Sequence, residues 1–344
     1  MRFVLTGATG FLGSALLERL LREGESVLAL GRDPERLRRA LPAGVAVAAF
    51  DLEAPQAPAG LLPGDVLIHC AALLGNAEAD RETYLRCNTE SVLVLARAAR
   101  EAGAALFQFI SSVSACGPTG SAGQPLRAES PFRPASVYGE SKARAEGQLA
   151  TLTGLRVQVL RPPVIYGPGA NRHSSASKVF RLLQGPLFFR RGGGHHFFNV
   201  MARENLVDAQ LFLARRALAG APPPPAIQPS GPPVADTWML RDDPCPSMRQ
   251  LQEWIVEVYG RRPLILPLPW CLLAGLGIVG DGLRTRGRAF PFSREIARGF
   301  GTSGYYSDIS PLRAAGWTPP LEARAAIQRT ARAYLAAHAA TSAQ

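Results

Sequence analysis

Short apolar runs alternate with longer amphipathic segments through the first half of the chain. The runs are four to six residues long and rich in apolar and β-branched residues, which predicts strands, whereas the segments between them have helical length and periodicity. The predicted strands cover residues 2–6, 26–30, 45–50, 66–69, 106–111 and 156–160, and the predicted helices cover residues 11–22, 34–41, 84–101 and 138–152. This alternation indicates an α/β fold in which helices cover both faces of a doubly wound parallel sheet.

The pattern changes after Arg161, where loops rich in glycine and proline separate isolated helices. These helices are predicted near residues 175–184, 204–218, 247–259 and 321–338. The prolines at residues 222–225 predict an extended connector, because proline lacks the amide proton that helices and central strands require. We therefore predict a sheet domain over residues 1–165, to which residues 200–235 return, and a smaller, interleaved C-terminal lobe formed by residues 166–199 and 236–344.

One apolar run, residues 264–279, resembles a membrane span but is too short to be one. It contains Pro267 and Pro269, precedes Asp281, and lacks the about 20 apolar residues that a spanning helix needs. We expect it to be buried, with peripheral contact to a membrane surface as the alternative. The N-terminus has no signal-peptide pattern, and the five cysteines form no C-x-x-C pair. A reducing cytoplasm fits these features best.

The chain is basic, yet its charge pattern does not indicate nucleic-acid binding. Its 344 residues include 38 Lys or Arg and 27 Asp or Glu, which gives a net charge of +11. Two of the 38 cations, Lys142 and Lys178, are lysines, so the other 36 are arginines. The basic residues are interspersed with acidic ones and form no uninterrupted block. A nucleic acid is therefore not expected as a partner, and any single arginine is a weak signal.

The first candidate site is a glycine-rich loop between the first strand and the first helix. It reads Thr6-Gly7-Ala8-Thr9-Gly10-Phe11-Leu12-Gly13. In such a loop, Gly7 permits a tight turn, Gly10 lets a pyrophosphate approach the backbone, and Gly13 allows close packing of helix on strand. The phosphates would face the positive end of the helix dipole. Strand, loop and helix in this order predict a dinucleotide-binding site.

The end of the second strand indicates which dinucleotide is bound. NAD-binding proteins usually have an acidic residue there for the ribose hydroxyl, whereas an arginine accommodates the 2′-phosphate of NADP. This chain has Arg32 at that position, followed by Asp33, which is better explained as the N-cap of the next helix. We therefore favour NADP(H), with NAD(H) as the alternative. Asp51 and Leu52, after the third strand, are predicted to lie beside the adenine.

Tyr138 and Lys142 are four residues apart on a predicted helix, which places both on one face. A free tyrosine has a pKa of about 10, and a neighbouring ammonium is expected to lower it toward neutrality. Tyr138 can then exchange a proton with a substrate oxygen while hydride moves to or from a nicotinamide, and Ser112 can bind the same oxygen. The alternative is an ordinary amphipathic helix, but a lysine at this position in a chain that uses arginine nearly everywhere else favours chemistry that needs a compact ammonium.

With these motifs the chain resembles the extended short-chain dehydrogenases/reductases, the NAD-dependent epimerase/dehydratase superfamily, which have a Rossmann-type domain. The motifs at residues 69–72 and 161–169 add to the resemblance. It implies that Ala71 and Ala72 line the cofactor channel, that Asn88 lies near the active site, and that the backbone around Pro162 and Val164 faces the nicotinamide. The predicted cofactor contacts are Gly7, Thr9, Gly10, Phe11, Leu12, Gly13, Arg32, Asp51, Leu52, Ala71, Ala72, Asn88, Ser111, Tyr138, Lys142, Pro162 and Val164.

The distal half is similar to the 3β-hydroxysteroid dehydrogenase-like branch, whose members act on hydroxyl or keto groups of bulky, often apolar substrates. The motifs that carry this resemblance lie at residues 204–209, 238–244, 266–270, 305–308 and 316–319. We predict that the C-terminal lobe binds the substrate, with contacts at Ser114, Tyr166 and Phe197. The adjacent His195 and His196 lack metal-ligand spacing, so no metal is predicted.

The sequence thus predicts an enzyme that transfers hydride between NADP(H) and a ketone or secondary alcohol of a bulky small molecule. One alternative is a nucleotide-sugar epimerase, dehydratase or reductase that uses bound NAD(P), with Arg172, Arg190, Arg191 or Arg249 on the diphosphate. Another is a non-catalytic dinucleotide-sensing protein, against which the Ser112, Tyr138 and Lys142 set argues. The resemblance also implies a homodimer formed through residues 84–101 and 138–152.

Overall fold

A seven-stranded parallel sheet forms the centre of the protein in the computed structural model, which describes residues 1–74, 79–170, 174–223, 236–284 and 304–342. The strands of this sheet are β1 (Arg2–Thr6), β2 (Ser26–Gly31), β3 (Ala46–Ala49), β4 (Val66–His69), β5 (Leu106–Ile110), β6 (Val157–Arg161) and β10 (Asp236–Met239). Their order across the sheet is β3-β2-β1-β4-β5-β6-β10, and every neighbouring pair is parallel. The predicted doubly wound α/β fold is thereby confirmed.

Helices cover the sheet on both faces and continue into the C-terminal half. They are α1 (Phe11–Arg22), α2 (Pro34–Ala40), α3 (Arg81–Leu85), α4 (Ser91–Glu101), α5 (Val137–Leu149), α6 (Ser175–Leu182), α7 (Arg203–Leu218), α8 (Met248–Tyr259), α9 (Trp270–Arg284), α10 (Ser310–Ala314) and α11 (Ala323–Ser342). A π-helical turn, Arg86–Glu90, joins α3 to α4, and a 3₁₀ turn, Val113–Ala115, follows β5.

Two hydrophobic cores lie on opposite faces of the sheet. Along β1, Phe3 and Leu5 pack with α1 and α7 on one face, while Val4 packs with α4 and α5 on the other. Side chains alternate between the faces of a strand, so a strand that is apolar throughout is buried on both sides, as parallel sheets require. The sequence located these strands closely: β3 is one residue shorter at each end than predicted, and β6 begins and ends one residue later.

A smaller lobe has its own core. It contains two short parallel ladders, one between β7 (Val164–Tyr166) and β9 (Val200–Ala202), the other between β8 (Leu187–Arg191) and β11 (Leu264–Leu268). The helices α6, α8, α9 and α11 pack against these ladders. Buried core residues of the lobe include Phe180, Leu183, Leu251, Ile255 and Ile327.

The boundary between the two parts differs from the predicted one. Residues from 236 onward were expected in the smaller lobe, but β10 pairs in parallel with β6 and becomes the seventh strand of the main sheet. Leu312 and Trp317 likewise pack in the core that α1 and α7 share with the sheet. Residues 236–239 join the main sheet because, without them, the backbone N–H and C=O groups along the outer edge of β6 would have no strand partner. The predicted proline connector lies outside the described residues from residue 224 onward.

The apolar run of residues 264–279 is not uniformly buried, contrary to one of its two interpretations. It divides into β11 and the first part of α9, where Leu273 is buried. Leu264, Leu272, Ile278 and Val279 are each more than half exposed. Among the described helices, none combines the length and the apolar character that a membrane-spanning segment needs.

Candidate active site

A cleft of about 700 Å³ lies at the carboxyl ends of the central strands, where the smaller lobe meets the sheet. Ligands of doubly wound sheets bind at this edge. The structure brings most of the predicted site residues into the wall of this one cleft: Gly7, Thr9, Gly10, Phe11, Leu12, Gly13, Leu52, Ala71, Ala72, Ser111, Ser112, Ser114, Tyr138, Lys142, Pro162 and Val164.

The glycine loop forms one end of the cleft and leaves the N-terminus of α1 open to an anion. Gly7 adopts a left-handed conformation, with φ of 73°, and its carbonyl accepts a 2.8 Å hydrogen bond from the Gly10 amide. No side chain caps α1, and its first turn carries no acidic residue. A Cβ on Gly13 would lie 2.1 Å from the Gly7 carbonyl oxygen, so only glycine allows this packing. The loop therefore fits the pyrophosphate of a dinucleotide.

Ser112, Tyr138 and Lys142 meet at the middle of the cleft. The Ser112 hydroxyl caps the 3₁₀ turn by accepting a 3.1 Å hydrogen bond from the Ser114 amide, and it also hydrogen-bonds the Tyr138 hydroxyl. Helix α5 approaches this turn closely at Gly139, where a Cβ would lie only 2.4 Å from the Ser114 carbonyl oxygen. One turn beyond Tyr138, Lys142 is buried and donates a 2.9 Å hydrogen bond to the Ile110 carbonyl.

The electrostatics of this set differ from the expectation that Lys142 lowers the pKa of Tyr138. Burial raises the pKa of Tyr138 to about 12, and the hydrogen bond with Ser112 offsets part of that rise. The Lys142 ammonium lies 5.9 Å from the centre of the Tyr138 ring and 4.6 Å from that of Phe109. Burial lowers the pKa of Lys142 itself to about 8. Tyr138 is thus a protonated phenol at neutral pH, which suits it to donate a proton.

Arg32 and Asp51 lie outside the part of the cleft described above, although Leu52 lines it. Arg32 is 69% exposed, and its guanidinium is 3.8 Å from the carboxylate of Glu53. Asp51 accepts a 3.0 Å hydrogen bond from the Glu53 amide, which makes it the first residue of a turn. Arg32 is able to reorient toward a 2′-phosphate because exposed side chains exchange rotamers rapidly.

Three further predicted residues do not reach the cleft, because other side chains and backbone groups bind them. Asn88 is buried and hydrogen-bonds the amide and carbonyl of Leu73, so it shapes the loop after β4. The Tyr166 hydroxyl donates a 2.6 Å hydrogen bond to buried Asp242. The Phe197 ring packs against Tyr306 with a centroid separation of 4.8 Å.

Several residues of the cleft wall were not predicted. They are Cys70, Leu74, Ile110, Val113, Ser136, Pro163, Ile165, Ala170, Ser174, Asn199 and Tyr305. Tyr305 is brought there by tertiary pairing, since Gly120 bridges to it and the Leu126 amide donates to the Tyr306 carbonyl. Ser136 had a signal in the sequence: it is the N-cap of α5, where its hydroxyl accepts a hydrogen bond from the Gly139 amide.

His69 lies at the carboxyl end of β4 and serves packing. It is 1% exposed, its Nδ1 lies 3.0 Å from the Thr6 hydroxyl, and its ring stacks on Phe107 and Phe109. Burial, assisted by the nearby Lys142 charge, lowers the pKa of His69 to about 3. The imidazole is therefore neutral in the folded protein at any pH near neutrality.

The low pKa of His69 predicts that acid destabilises the fold. Between the unfolded pKa of 6.5 and the folded pKa of about 3, only the unfolded chain binds this proton, so stability falls as the pH is lowered. From pH 7 to pH 5 we expect His69 to contribute a loss of about 2 kcal/mol in the free energy of unfolding. Urea denaturation at pH 7 and pH 5 measures the free energy of unfolding, and its loss between these pH values should be smaller by that amount in His69→Asn than in the wild type. The exposed His195→Asn serves as control, and an unchanged pH dependence in His69→Asn would contradict the assignment.

The chain belongs to the NAD dependent epimerase/dehydratase family, whose model matches residues 3–217. It is 27% identical to a UDP-glucose 4-epimerase of Vibrio cholerae, over 97% of this chain and 96% of the relative. It is also 27% identical to the 4-hydroxy-2-methyl-3-oxo-4-farnesyl-3,4-dihydroquinoline-1-oxide ketoreductase of Stigmatella aurantiaca, over 82% and 80%. In fold it is similar to the UDP-glucose 4-epimerase of Thermus thermophilus in complex with NAD, with a TM-score of 0.66 at 21% identity over 98% of this chain and 100% of that one.

These findings confirm the resemblance to the extended short-chain dehydrogenases/reductases that the sequence motifs indicated. The protein is an enzyme of an NAD-dependent family that includes both epimerases and ketoreductases.

Proposed function

We propose that the protein is an NADP(H)-dependent oxidoreductase that interconverts a ketone and a secondary alcohol on a bulky, apolar small molecule. The observation that carries the proposal is the Ser112, Tyr138 and Lys142 set at the centre of a cleft with an apolar outer wall. Leu74, Ile165 and Phe198 contribute to that wall. Among its described residues, Lys142 is the one Lys or Arg, so the diphosphate of a nucleotide sugar has no arginine to bind in this part of the cleft. Of the four arginines predicted for that role, Arg172 lies outside the described residues, and Arg190, Arg191 and Arg249 do not line this cleft.

Each of the three side chains has a distinct task in this reaction. When bound, the dinucleotide supplies or accepts the hydride. In the reducing direction the Tyr138 phenol donates its proton to the carbonyl oxygen that becomes the hydroxyl, and the Ser112 hydroxyl donates a hydrogen bond to the same oxygen. Lys142 is held by the Ile110 carbonyl, and its remaining N–H groups would bind the hydroxyls of the nicotinamide ribose. The raised pKa of Tyr138 keeps the phenol protonated at neutral pH, which is the form that the reducing direction requires.

A nucleotide-sugar epimerase is the second candidate. It is supported by the similarity to the Vibrio cholerae UDP-glucose 4-epimerase over nearly the whole length of both chains. An epimerase regenerates its own dinucleotide, whereas a reductase must exchange it after each turnover. A purely dinucleotide-sensing protein is a weaker candidate, since binding alone does not require Ser112, Tyr138 and Lys142 together.

Net oxidation of NADPH by a panel of ketones tests the proposal directly. The panel should include apolar polycyclic and long-chain ketones beside UDP-glucose and a dTDP-4-keto sugar. We expect NADPH consumption with members of the apolar group and none with the nucleotide sugars. Interconversion of UDP-sugars without net NADPH consumption would overturn the proposal in favour of the epimerase.

The proposed preference for NADP(H) rests on Arg32. Removing its guanidinium with Arg32→Ala should weaken NADPH binding about 10- to 100-fold, because a charge-assisted bidentate contact to the 2′-phosphate is lost, and should leave NADH binding within about twofold. Fluorescence titration of both reduced dinucleotides measures this. Arg22→Ala is a matched control, since Arg22 is similarly exposed, at 65%, and lies at the end of α1 remote from the glycine loop. Equal weakening of both dinucleotides by Arg32→Ala would refute the assignment.

We also propose that the enzyme is a cytoplasmic homodimer assembled through α4 and α5. The outward positions of these helices include Arg97, Arg144 and Gln148, so the interface would be partly polar. Light scattering of the purified protein measures the mass. A separate proposal concerns α9: its exposed apolar side chains are suited to peripheral contact with a membrane surface.

A further inference from the structure

A buried ion pair lies directly behind the Ser112, Tyr138 and Lys142 set. Glu146 on α5 and Arg161 at the end of β6 are both 0% exposed. The guanidinium binds the carboxylate through two nitrogens, with Nη2 to Oε2 at 2.6 Å and Nε to both oxygens at 3.0 and 3.1 Å. Arg161 is fixed in turn by the Ala128 carbonyl at 2.8 Å and by the face of the Phe132 ring.

The Glu146 carboxylate also contacts the chain segment that carries Ser112. It accepts a hydrogen bond from the hydroxyl of Ser111. The backbone at Ser112 is extended, so the side chains of Ser111 and Ser112 project to opposite sides. Fixing Ser111 against Glu146 therefore aims Ser112 at Tyr138. Glu146 also lies one helical turn beyond Lys142, on the same face of α5.

Glu146 is the anion that faces Lys142 among the described residues. Around the ammonium lie Tyr138 and Glu146 from α5, His69 and Cys70 from the end of β4, and Arg161 behind Glu146. His69 is neutral, and the Cys70 thiol keeps its proton because burial raises its pKa to about 12. Tyr138 is a neutral phenol. The negative charge that stabilises the buried ammonium is therefore that of Glu146.

Fold stability alone does not account for this pair. Moving two charges out of water carries a large desolvation cost, and apolar side chains of similar volume often stabilise a core equally well. A carboxylate at this position does what an apolar side chain cannot: it stabilises a neighbouring positive charge.

We propose that Glu146 is a positioning residue for the catalytic set, keeping Lys142 in its ammonium form and orienting Ser112 through Ser111, with Arg161 fixing the carboxylate. The effect of Glu146 on turnover rests on the proposed function, whereas its effect on the protonation of Lys142 does not. The two can therefore be tested separately.

The chain offers a direct probe because it contains two lysines, Lys142 and Lys178. Labelling with ¹³C-lysine gives two ε-carbon signals, and Lys178→Arg assigns them. In the wild type the Lys142 signal should titrate near pH 8. In Glu146→Gln, which keeps the shape and removes the charge, we expect the midpoint to fall by about one pH unit or more. The control is Glu140→Gln on the same helix, whose carboxylate pairs with Arg81 and Arg144 toward solvent and whose loss should leave the midpoint unchanged.

Glu146→Gln leaves the Arg161 charge buried without its partner, so a second variant protects the test against misfolding. Glu146→Gln combined with Arg161→Gln removes both charges, and the Lys142 midpoint should again fall, by less than in the single variant. A Lys142 midpoint within about 0.2 pH units of the wild type in the folded variant would overturn the proposal. If ketone reduction is found, its alkaline limb should move to lower pH by the same amount. Failure of the proposed function would appear as absent turnover in the wild type, with the titration of Lys142 still decisive.

Discussion

Replacing Tyr138 with phenylalanine should lower the rate of ketone reduction about 10³-fold, while NADPH affinity stays within about twofold. The change removes one oxygen atom, the one that hydrogen-bonds Ser112 and faces the cleft. Without it no side chain in this set can supply the proton directly, because the Ser112 hydroxyl is a far weaker acid and the Lys142 ammonium lies 5.9 Å from the centre of the Tyr138 ring. The ring itself, and the packing of α5 on the 3₁₀ turn, are retained.

Steady-state oxidation of NADPH with the ketone found in the panel measures this effect on kcat, and fluorescence titration measures the affinity. Tyr334→Phe is a matched control that removes the same oxygen from a tyrosine of the smaller lobe, where it contacts Ser177 outside the catalytic set. Unchanged turnover in Tyr138→Phe would show that the proton comes from elsewhere and would remove the basis of the mechanism.

Adding a single methyl group at Gly13 should weaken dinucleotide binding by at least about 100-fold. The Cβ of Gly13→Ala would lie 2.1 Å from the Gly7 carbonyl oxygen and 2.6 Å from its carbon, both backbone atoms. No rotamer change relieves such a contact, so α1 and the loop must separate. That separation removes the Gly10 amide and the open end of α1 from the position where they bind the pyrophosphate.

Gly275→Ala is the matched control for the added methyl group. Gly275 is also within a helix, α9, and a Cβ there meets open space. This control should bind NADPH as the wild type does and gain about 1 kcal/mol of stability from better helix propensity. Thermal melts of both variants separate lost binding from lost folding. Wild-type affinity in folded Gly13→Ala would mean that the dinucleotide does not bind on this loop.

The sequence located the parts of the site that local geometry determines. A glycine loop between a strand and a helix, and a tyrosine and lysine one turn apart, keep their relation wherever the helix packs, so Gly13, Tyr138 and Lys142 could be found from spacing. Tyr305 and Asn199 could not, because they enter the cleft through the pairing of distant segments with the loop after β5 and with each other. Tyr166 was misleading for the converse reason: its hydroxyl is bound by Asp242, which lies 76 residues away in the chain.

The pKa values and the ion pair of the site were the features least predictable from the sequence. The spacing of Tyr138 and Lys142 suggested a lowered phenol pKa, but burial of the hydroxyl outweighs the neighbouring charge and raises it. The depth of burial depends on the whole lobe above the cleft, which spacing along the helix does not reveal. Glu146 and Arg161 illustrate the same point. Each is an ordinary residue for an amphipathic helix or a strand end, and only the packing of α5 on β6 brings them together without solvent.

The proposed reaction requires the cleft to exchange NADP(H) with solution, because each net oxidation or reduction consumes one dinucleotide. The direct measurement is the dinucleotide content of the purified protein, followed by titration with NADPH and NADH and by dialysis. We expect the protein to bind NADPH more tightly than NADH and to release it fully on dialysis. Stoichiometric NAD that remains bound through purification and dialysis would contradict it and would assign the protein to the epimerases that retain their cofactor.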